Sequence, residues 1–288
     1  MDYVQQGRYI LDVKKIVQSV DQLYPMPTNV TRVIKALEDA NIGAFTISEL
    51  IGLDQALASN TLKMANSVTF GYASECSNLH DAVVRLGFKK IKSIMLGAAS
   101  FSNLNKPLNG YNLKIGELWN HSVATGMAAQ WLARKFGKSD PEEAYVAGLL
   151  HDIGKVLLNQ YLELDQSIIL ITMQTLKIGL WEAEARVFGV DHAGLGALIA
   201  KKWNFPPKLI DAIRYHHAPA LSDDYIELAS IINIANSFVT KEKIGIIDIY
   251  GSMIHPEALR VLKLTENDTQ VLRKKMFDAF GVNSDLRQ

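Results

Sequence analysis

Leu149-Leu150-His151-Asp152-Ile153-Gly154-Lys155 is the stretch that decides how this 288-residue chain is read. An apolar run that ends in a His-Asp pair places two potential ligands at a helix end, at the edge of a core. Imidazole and carboxylate together suit a borderline divalent metal such as iron, manganese or zinc. Asp152 has two oxygens, so it can bridge two metals. Just upstream, Asp140-Pro141-Glu142-Glu143 opens the helix that leads here, with an acceptor at the N-cap, proline at N1 and an acid at N3.

The same helical signals recur on both sides. Val30, Val33, Ile34 and Leu37 fall at i, i+3, i+4, i+7, a stripe with the helical period. Thr46-Ile47-Ser48-Glu49 reads as a capping box opening a short helix through Leu50 and Ile51. Asn78 caps a helix that turns Ala82, Val83 and Leu86 inward, and Gly87 stops it. Pro206-Pro207 opens another, with Leu209, Ile210 and Ile213 on its inner side, and Thr265-Glu266-Asn267-Asp268 begins the last, ending near Gly281. Gly245 to Tyr250 is the one β-like run, short enough to be a loop. The fold class read from these signals is all-α. Asn103 to Asn112, rich in asparagine with glycine and proline, reads as a connector between an N-terminal helical lobe over 1–105 and a C-terminal lobe over 106–288.

Composition bounds the function classes. Hydrophobic residues at 48% and charged residues at 21% exclude disorder as the overall state. Thirty basic residues balance thirty acidic ones, which argues against a nucleic-acid sleeve. The single cysteine, Cys76, has no internal partner and suits a reducing cytoplasm. A polar N-terminus and the lack of a long apolar run leave no expected membrane segment. The expected setting is cytoplasmic, with no nucleic acid and no membrane as partner.

Five of the seven histidines, His121, His151, His192, His216 and His217, lie in the C-terminal lobe, each in or beside a helix signal. Their order with Asp152 resembles the HD superfamily of metal-dependent phosphohydrolases, and the longer match is to its HDOD branch, the HD-related output domain. Leu23-Tyr24-Pro25-Met26-Pro27 is similar to that family's opening turn, and Met64-Ala65-Asn66-Ser67 with Phe70-Gly71 to its N-S-x-x-F-G signature. Ala82 to Gly87, Trp119-Asn120-His121-Ser122, Asp191-His192-Ala193, Trp203-Asn204-Phe205-Pro206 and His216-His217 resemble its later segments. The resemblance runs from about Leu23 to about Val239. It implies an N-terminal helical lobe packed on a C-terminal HD-type helical bundle, and His121, His151, Asp152, His192, His216 and His217 as the metal set.

Two departures qualify the activity this implies. The superfamily usually closes its first metal site with an aspartate on a helix after the paired histidines; by position Asn236 stands there, or Asn233 if the alignment slips. The related HD-GYP phosphodiesterases carry a Gly-Tyr-Pro segment that is missing from Ala218 to Tyr225. The function implied is therefore a bacterial signal-transduction output module that acts mainly through contact with a signalling protein partner. Its HD metal site is full or vestigial, and it lacks efficient cyclic-di-GMP hydrolysis. The alternative is a metal-dependent phosphohydrolase or phosphodiesterase using a bridging hydroxide, with Asp152 bridging and Lys155 facing the substrate phosphate. An oxygen-activating di-iron protein is a minor third reading.

Single residues carry two readings each. Glu117, four before His121, reads as a solvent-facing acid of a helix's first turn, while some HD-GYP relatives imply an additional metal ligand there. Glu184 reads as a cap or salt-bridge partner, His80 as a surface or capping residue, and His255 has no assigned role. Trp119, Trp131, Trp181 and Trp203 read as packing residues, and Asn66 with Ser67 as a tie between two helices.

Overall fold

In this computed structural model the described residues are 4–5, 8–9, 12, 26–66, 76–163, 166–244 and 253–279. They are helical almost throughout, as the recurrent caps and period predict, apart from one ribbon of two-residue strands, β1 (Val4–Gln5) antiparallel to β2 (Arg8–Tyr9). The chain divides into a unit over Tyr24–Ser102 and a unit from Asn103 onward that also takes in the N-terminal ribbon.

The first unit contains α1 (Thr28–Ala36), α2 (Ala44–Gly52), α3 (Gln55–Ala65) and most of α4 (Leu79–Leu104). Val30, Val33, Ile47, Ile51, Leu57, Val83, Ile91 and Met95 form its core. Each such side chain taken fully out of water stabilises the fold by about 1.5–3 kcal/mol. Helix α2 corrects the capping-box reading of Thr46-Ile47-Ser48-Glu49. It starts three residues earlier, with Gly43 at the N-cap in extended backbone, and Ser48 Oγ donates to the Phe45 carbonyl at 2.6 Å. The buried i, i+4 pair Ile47 and Ile51 fixes this helix, not a cap. Asp54 does cap α3, accepting from the N–H groups of Ala56 and Leu57. Asn78 accepts from Asp81 N–H at 2.8 Å, as expected. Gly87, with φ 73° and ψ 160°, stops the first helical run of α4 as expected, and a second run begins directly after this kink. That backbone conformation is one an L side chain rarely adopts. Asn66 bonds Cys76 through both its amide atoms, the tie expected of it. Leu23 to Pro25, Ser67, Phe70-Gly71, Gly245 to Tyr250 and Gly281 lie outside the described residues.

The second unit is a helical bundle: α5 (Glu117–Phe136), α6 (Pro141–Leu150), α7 (Gly154–Leu162), α8 (Gln166–Leu176), α9 (Leu180–Phe188), α10 (His192–Lys202), α11 (Pro207–Tyr215), α12 (Ile226–Lys241), α13 (Pro256–Leu262) and α14 (Glu266–Ala279). Helix α12 is buried almost all round from Leu228 to Val239 and packs on α5, α6, α11 and α13. Asp140 caps α6 and Thr265 exchanges hydrogen bonds with Asp268 at the start of α14, both as the sequence predicts. His255, given no role from sequence, caps α13: its Nδ1 accepts the Glu257 N–H. The Asn103–Asn112 segment is pinned to α7, where Gly110 N–H donates to Asn159 Oδ1 at 2.8 Å.

Two close helix approaches bring the histidine-bearing helix ends together. Where α5 crosses α6, a Cβ on Gly148 would meet Gly126 Cα at 2.8 Å and the Thr125 carbonyl at 2.9 Å. Where α7 meets α10, a Cβ on Gly154 would meet the His192 carbonyl at 1.9 Å. Glycine is what lets backbone approach backbone this closely.

Candidate metal centre

Helix ends deliver the six expected residues to one place. His121 lies in the second turn of α5, His151 and Asp152 in the turn between α6 and α7, and His192 at the start of α10. His216 and His217 follow the end of α11. Adjacent residues on a helix diverge by about 100°, but at this helix end both rings turn to the same site. Asp191, the N-cap of α10, accepts from Gly194 N–H at 2.6 Å and from Arg214 at 2.8 Å, which holds the helix start against α11.

Asp152 is the hub. Its Oδ2 lies 2.7 Å from Lys155 Nζ, 3.4 Å from His151 Nε2 and 3.6 Å from His121 Nε2. Its Oδ1 lies 3.2 Å from His192 Nε2 and 3.9 Å from His216 Nε2. His217 Nε2 is 2.9 Å from His192 Nε2. Two ligand sets emerge, each with its donor atoms within 4.8 Å of one another: Asp152 with His192, His216 and His217, and Asp152 with His121 and His151.

Backbone carbonyls aim the rings. His121 Nδ1 faces Ile244 O, His151 Nδ1 faces Gly148 O, and His216 Nδ1 faces Ile213 O, at 3.0, 2.7 and 2.8 Å. Each carbonyl takes the Nδ1 proton and leaves Nε2 a lone pair. Burial holds His151 down to about 3 and keeps His121, His216 and His217 below the usual histidine range, so these rings are neutral. Burial also works against charge on His192, but the Glu184 carboxylate outweighs it and raises that ring to about 9. For Asp152, burial favours the neutral acid, yet the Lys155 ammonium and the charged His192 hold the carboxyl well below its ordinary range.

A metal fits this donor set. Among the described residues His151 Nε2 and His216 Nε2 are buried and have no hydrogen-bond partner. Such orphaned atoms are costly, and two of them facing one carboxylate are what a cation would relieve. Imidazole nitrogens with a carboxylate match iron, manganese or zinc.

The other residues singled out in the sequence take varied places around this centre. Asn236 Oδ1 lies 3.1 Å from His121 Nε2, so of the two candidate asparagines Asn236 is the one that faces the cluster. Asn233 instead donates to His216 O and accepts from His255 N–H, a tie that fixes the histidine loop. Glu117 accepts from Lys114 N–H at 2.8 Å, the helix-start role, and belongs to neither ligand set. Lys155 is buried on Asp152. Glu184 takes both roles read for it, cap and salt-bridge partner: fully buried, it accepts from His192 N–H and from His192 Nδ1, and also from the Tyr111 hydroxyl. Its offset of eight from His192 was the signal. Nothing local marks Tyr111, which reaches the site only because its turn is pinned to α7. Trp181 stacks on His217 with centroids 5.7 Å apart and planes 6° from parallel, so it walls the site as well as packing.

The HDOD domain pattern matches residues 23–219. An uncharacterized protein of Treponema pallidum is 28% identical over 224 residues, covering 77% of this chain and 43% of that protein. The chain thus spans less than half the length of this curated relative. A crystal structure of an HDOD domain protein of unknown function from Geobacter sulfurreducens superposes with a TM-score of 0.69 at 25% identity, covering 96% of this chain and 97% of that one. A Marinobacter aquaeolei structure assigned provisionally to signal transduction shares the fold, with a TM-score of 0.70 at 20% identity over 92% of this chain and 62% of that one. The domain match extends across more than half of the sequence and includes all the clustered residues but Asn236, so the chain belongs to the HDOD family.

Proposed function

We propose that this chain is a signal-transduction output module built around a retained HD metal centre, acting by contact with a partner protein and not by efficient hydrolysis. The observation that carries this reading is the closure of the cluster. His121, His151, Asp152, His192 and His216 are each at most 1% exposed. Ligands this enclosed are what a centre that ties helix ends together has, and of the set only His217 is half-buried. Phe45, Leu53 and Val84 of the first unit are exposed, which supports a contact role for that lobe.

The metal would be held by His192, His216, His217 and Asp152, with His121 and His151 on the far side of the carboxylate. When bound, a divalent cation supplies concentrated positive charge and Lewis acidity. The protein's own residues do the rest. Glu184 orients His192, Asn233 holds the His216 backbone, and the apolar helix α12 keeps water out. Because the ligands come from the ends of different helices, occupancy couples α5, the α6–α7 turn, α10 and α11 into one state that a partner can read.

One observation favours the phosphohydrolase alternative: Lys155 is a buried cation within reach of the ligand set, 5.9 Å from the Tyr111 ring, where it could meet phosphate oxygens. The two readings separate in a turnover assay. The full chain, purified without chelator and supplied with manganese or iron(II), is offered cyclic-di-GMP and bis(p-nitrophenyl) phosphate, with His151→Ala as the blank. No multiple turnover is expected. Robust turnover by the unmutated chain, abolished in the blank, overturns the output-module reading.

A further inference from the structure

The two halves of the cluster differ in charge. On the Asp152 Oδ1 side, His192 pairs with the buried Glu184 carboxylate at 2.6 Å, so once an entering cation displaces the His192 Nε2 proton two anions, Asp152 and Glu184, serve that half. On the Oδ2 side, the Lys155 ammonium already sits 2.7 Å from the oxygen, and the second oxygen donor facing His121 is an uncharged amide. We propose that this centre takes a single divalent cation, on the Oδ1 side among His192, His216 and His217, and that Lys155 and Asn236 fill the second half in place of another cation. This deepens the metal-centre reading and rests on it.

Three features support the division. First, donors are more numerous where the charge is favourable: three imidazoles and Asp152 Oδ1 make four ligands, a full tetrahedral set, against two imidazoles and a shared carboxylate oxygen on the other side. Second, a dication entering the Oδ2 half meets the Lys155 ammonium on the very oxygen it needs. Both positive charges are buried, where repulsion is poorly screened. Third, the His121 lone pair has an occupant. Ile244 O takes the Nδ1 proton, and a half-turn of the Asn236 amide lets its NH2 donate to Nε2, something an aspartate there could not do. Thr240 Oγ, 3.2 Å from the same amide, can serve either orientation. The orphaned His151 Nε2 remains on this side, close to the Lys155–Asp152 pair and without an anion of its own.

The test is zinc stoichiometry by calorimetric titration of the chelator-stripped full chain, with folding checked by circular dichroism. The unmutated chain is expected to take up one equivalent. His216→Ala and His217→Ala should each lose about tenfold or more in affinity, whereas His121→Ala keeps one equivalent at nearly unchanged affinity. The double substitution Lys155→Met, Asn236→Asp removes the resident cation and supplies the missing anion, and should take up two. Two equivalents in the unmutated chain overturn the inference and leave the metal-centre reading standing. So does a folded His121→Ala that binds none, or a folded double variant that stays at one. No zinc uptake by the unmutated chain overturns the metal-centre reading itself. If a variant does not fold, the stoichiometry of the unmutated chain still decides.

Discussion

Glu184 Oε2 lies 2.6 Å from His192 Nδ1 and accepts the backbone N–H of the same residue at 2.8 Å. One oxygen thereby fixes both the start of α10 and the orientation of its first ring, while Oε1 takes the Tyr111 hydroxyl at 2.8 Å. A proton held on Nδ1 leaves Nε2 directed at Asp152, the face a ligand needs.

Glu184→Gln keeps the shape and removes the charge. Zinc affinity of the variant should fall by about 10–100-fold, the usual cost of losing an outer partner of a metal-bound histidine. Calorimetry on the folded variant checks it, and a change below threefold would show that Glu184 is a cap alone.

Gly154→Ala should be among the most damaging single changes. The added Cβ would stand 1.9 Å from the His192 carbonyl and 2.6 Å from Gly196 N, both rigid backbone. Overpacking typically costs about 1–3 kcal/mol or more, and here the relief available is to push α7 off α10, which also separates Asp152 from His192. Chemical denaturation and zinc titration should therefore report a joint loss. A variant that melts normally and binds zinc normally would refute the close-approach argument.

Asp54→Ala tests the first unit independently. Removing this N-cap should destabilise by about 1 kcal/mol. Hydrogen bonds from Leu57 N–H and Asn29 hold the Asp54 carboxyl below its ordinary value. Its folded value being lowered, the contribution is present above the unfolded carboxylate value of about 3.9 and is lost as pH falls through the folded one. Denaturant titrations at pH 7 and at pH 3 should show the difference between variant and parent shrinking; an equal difference at both would contradict the cap.

Asn236→Asp alone should leave the affinity for the single cation nearly unchanged and create no cyclic-di-GMP enzyme. The new carboxylate stands beside His121, on the half where the Lys155 ammonium stays in place, and the Gly-Tyr-Pro segment of HD-GYP relatives is still missing after His217. Turnover by the loaded variant, measured against His151→Ala, is expected to remain at the blank level.

Much of this was legible from residues alone. The period of Val30 and Val33, the caps at Asn78, Asp140 and Thr265, and the order of the histidines each reflect local chemistry that acts within a few residues. The misses are of other kinds. Thr46 looked like a cap because the pattern fits, yet the core-facing pair Ile47 and Ile51 set the start of α2. Glu184 was visible as an acid before His192, but its burial and its three donors depend on how α9 packs. Tyr111 and Trp181 reach the site by tertiary contact, and His255 caps α13 through a ring nitrogen, a role that histidine rarely advertises in sequence. Which of Asn233 and Asn236 faces His121 depends on how the helix packs, since about one helical turn separates two asparagines on the same buried helix.

The most direct test of the central claim is elemental analysis of the full chain, purified without chelator and without a metal-affinity tag. The account predicts about one iron, manganese or zinc per chain, lost in parallel with stability when Asp152 is replaced by alanine. Protein that is metal-free as purified, takes up none of the three on addition and melts at the same temperature with or without them would contradict it.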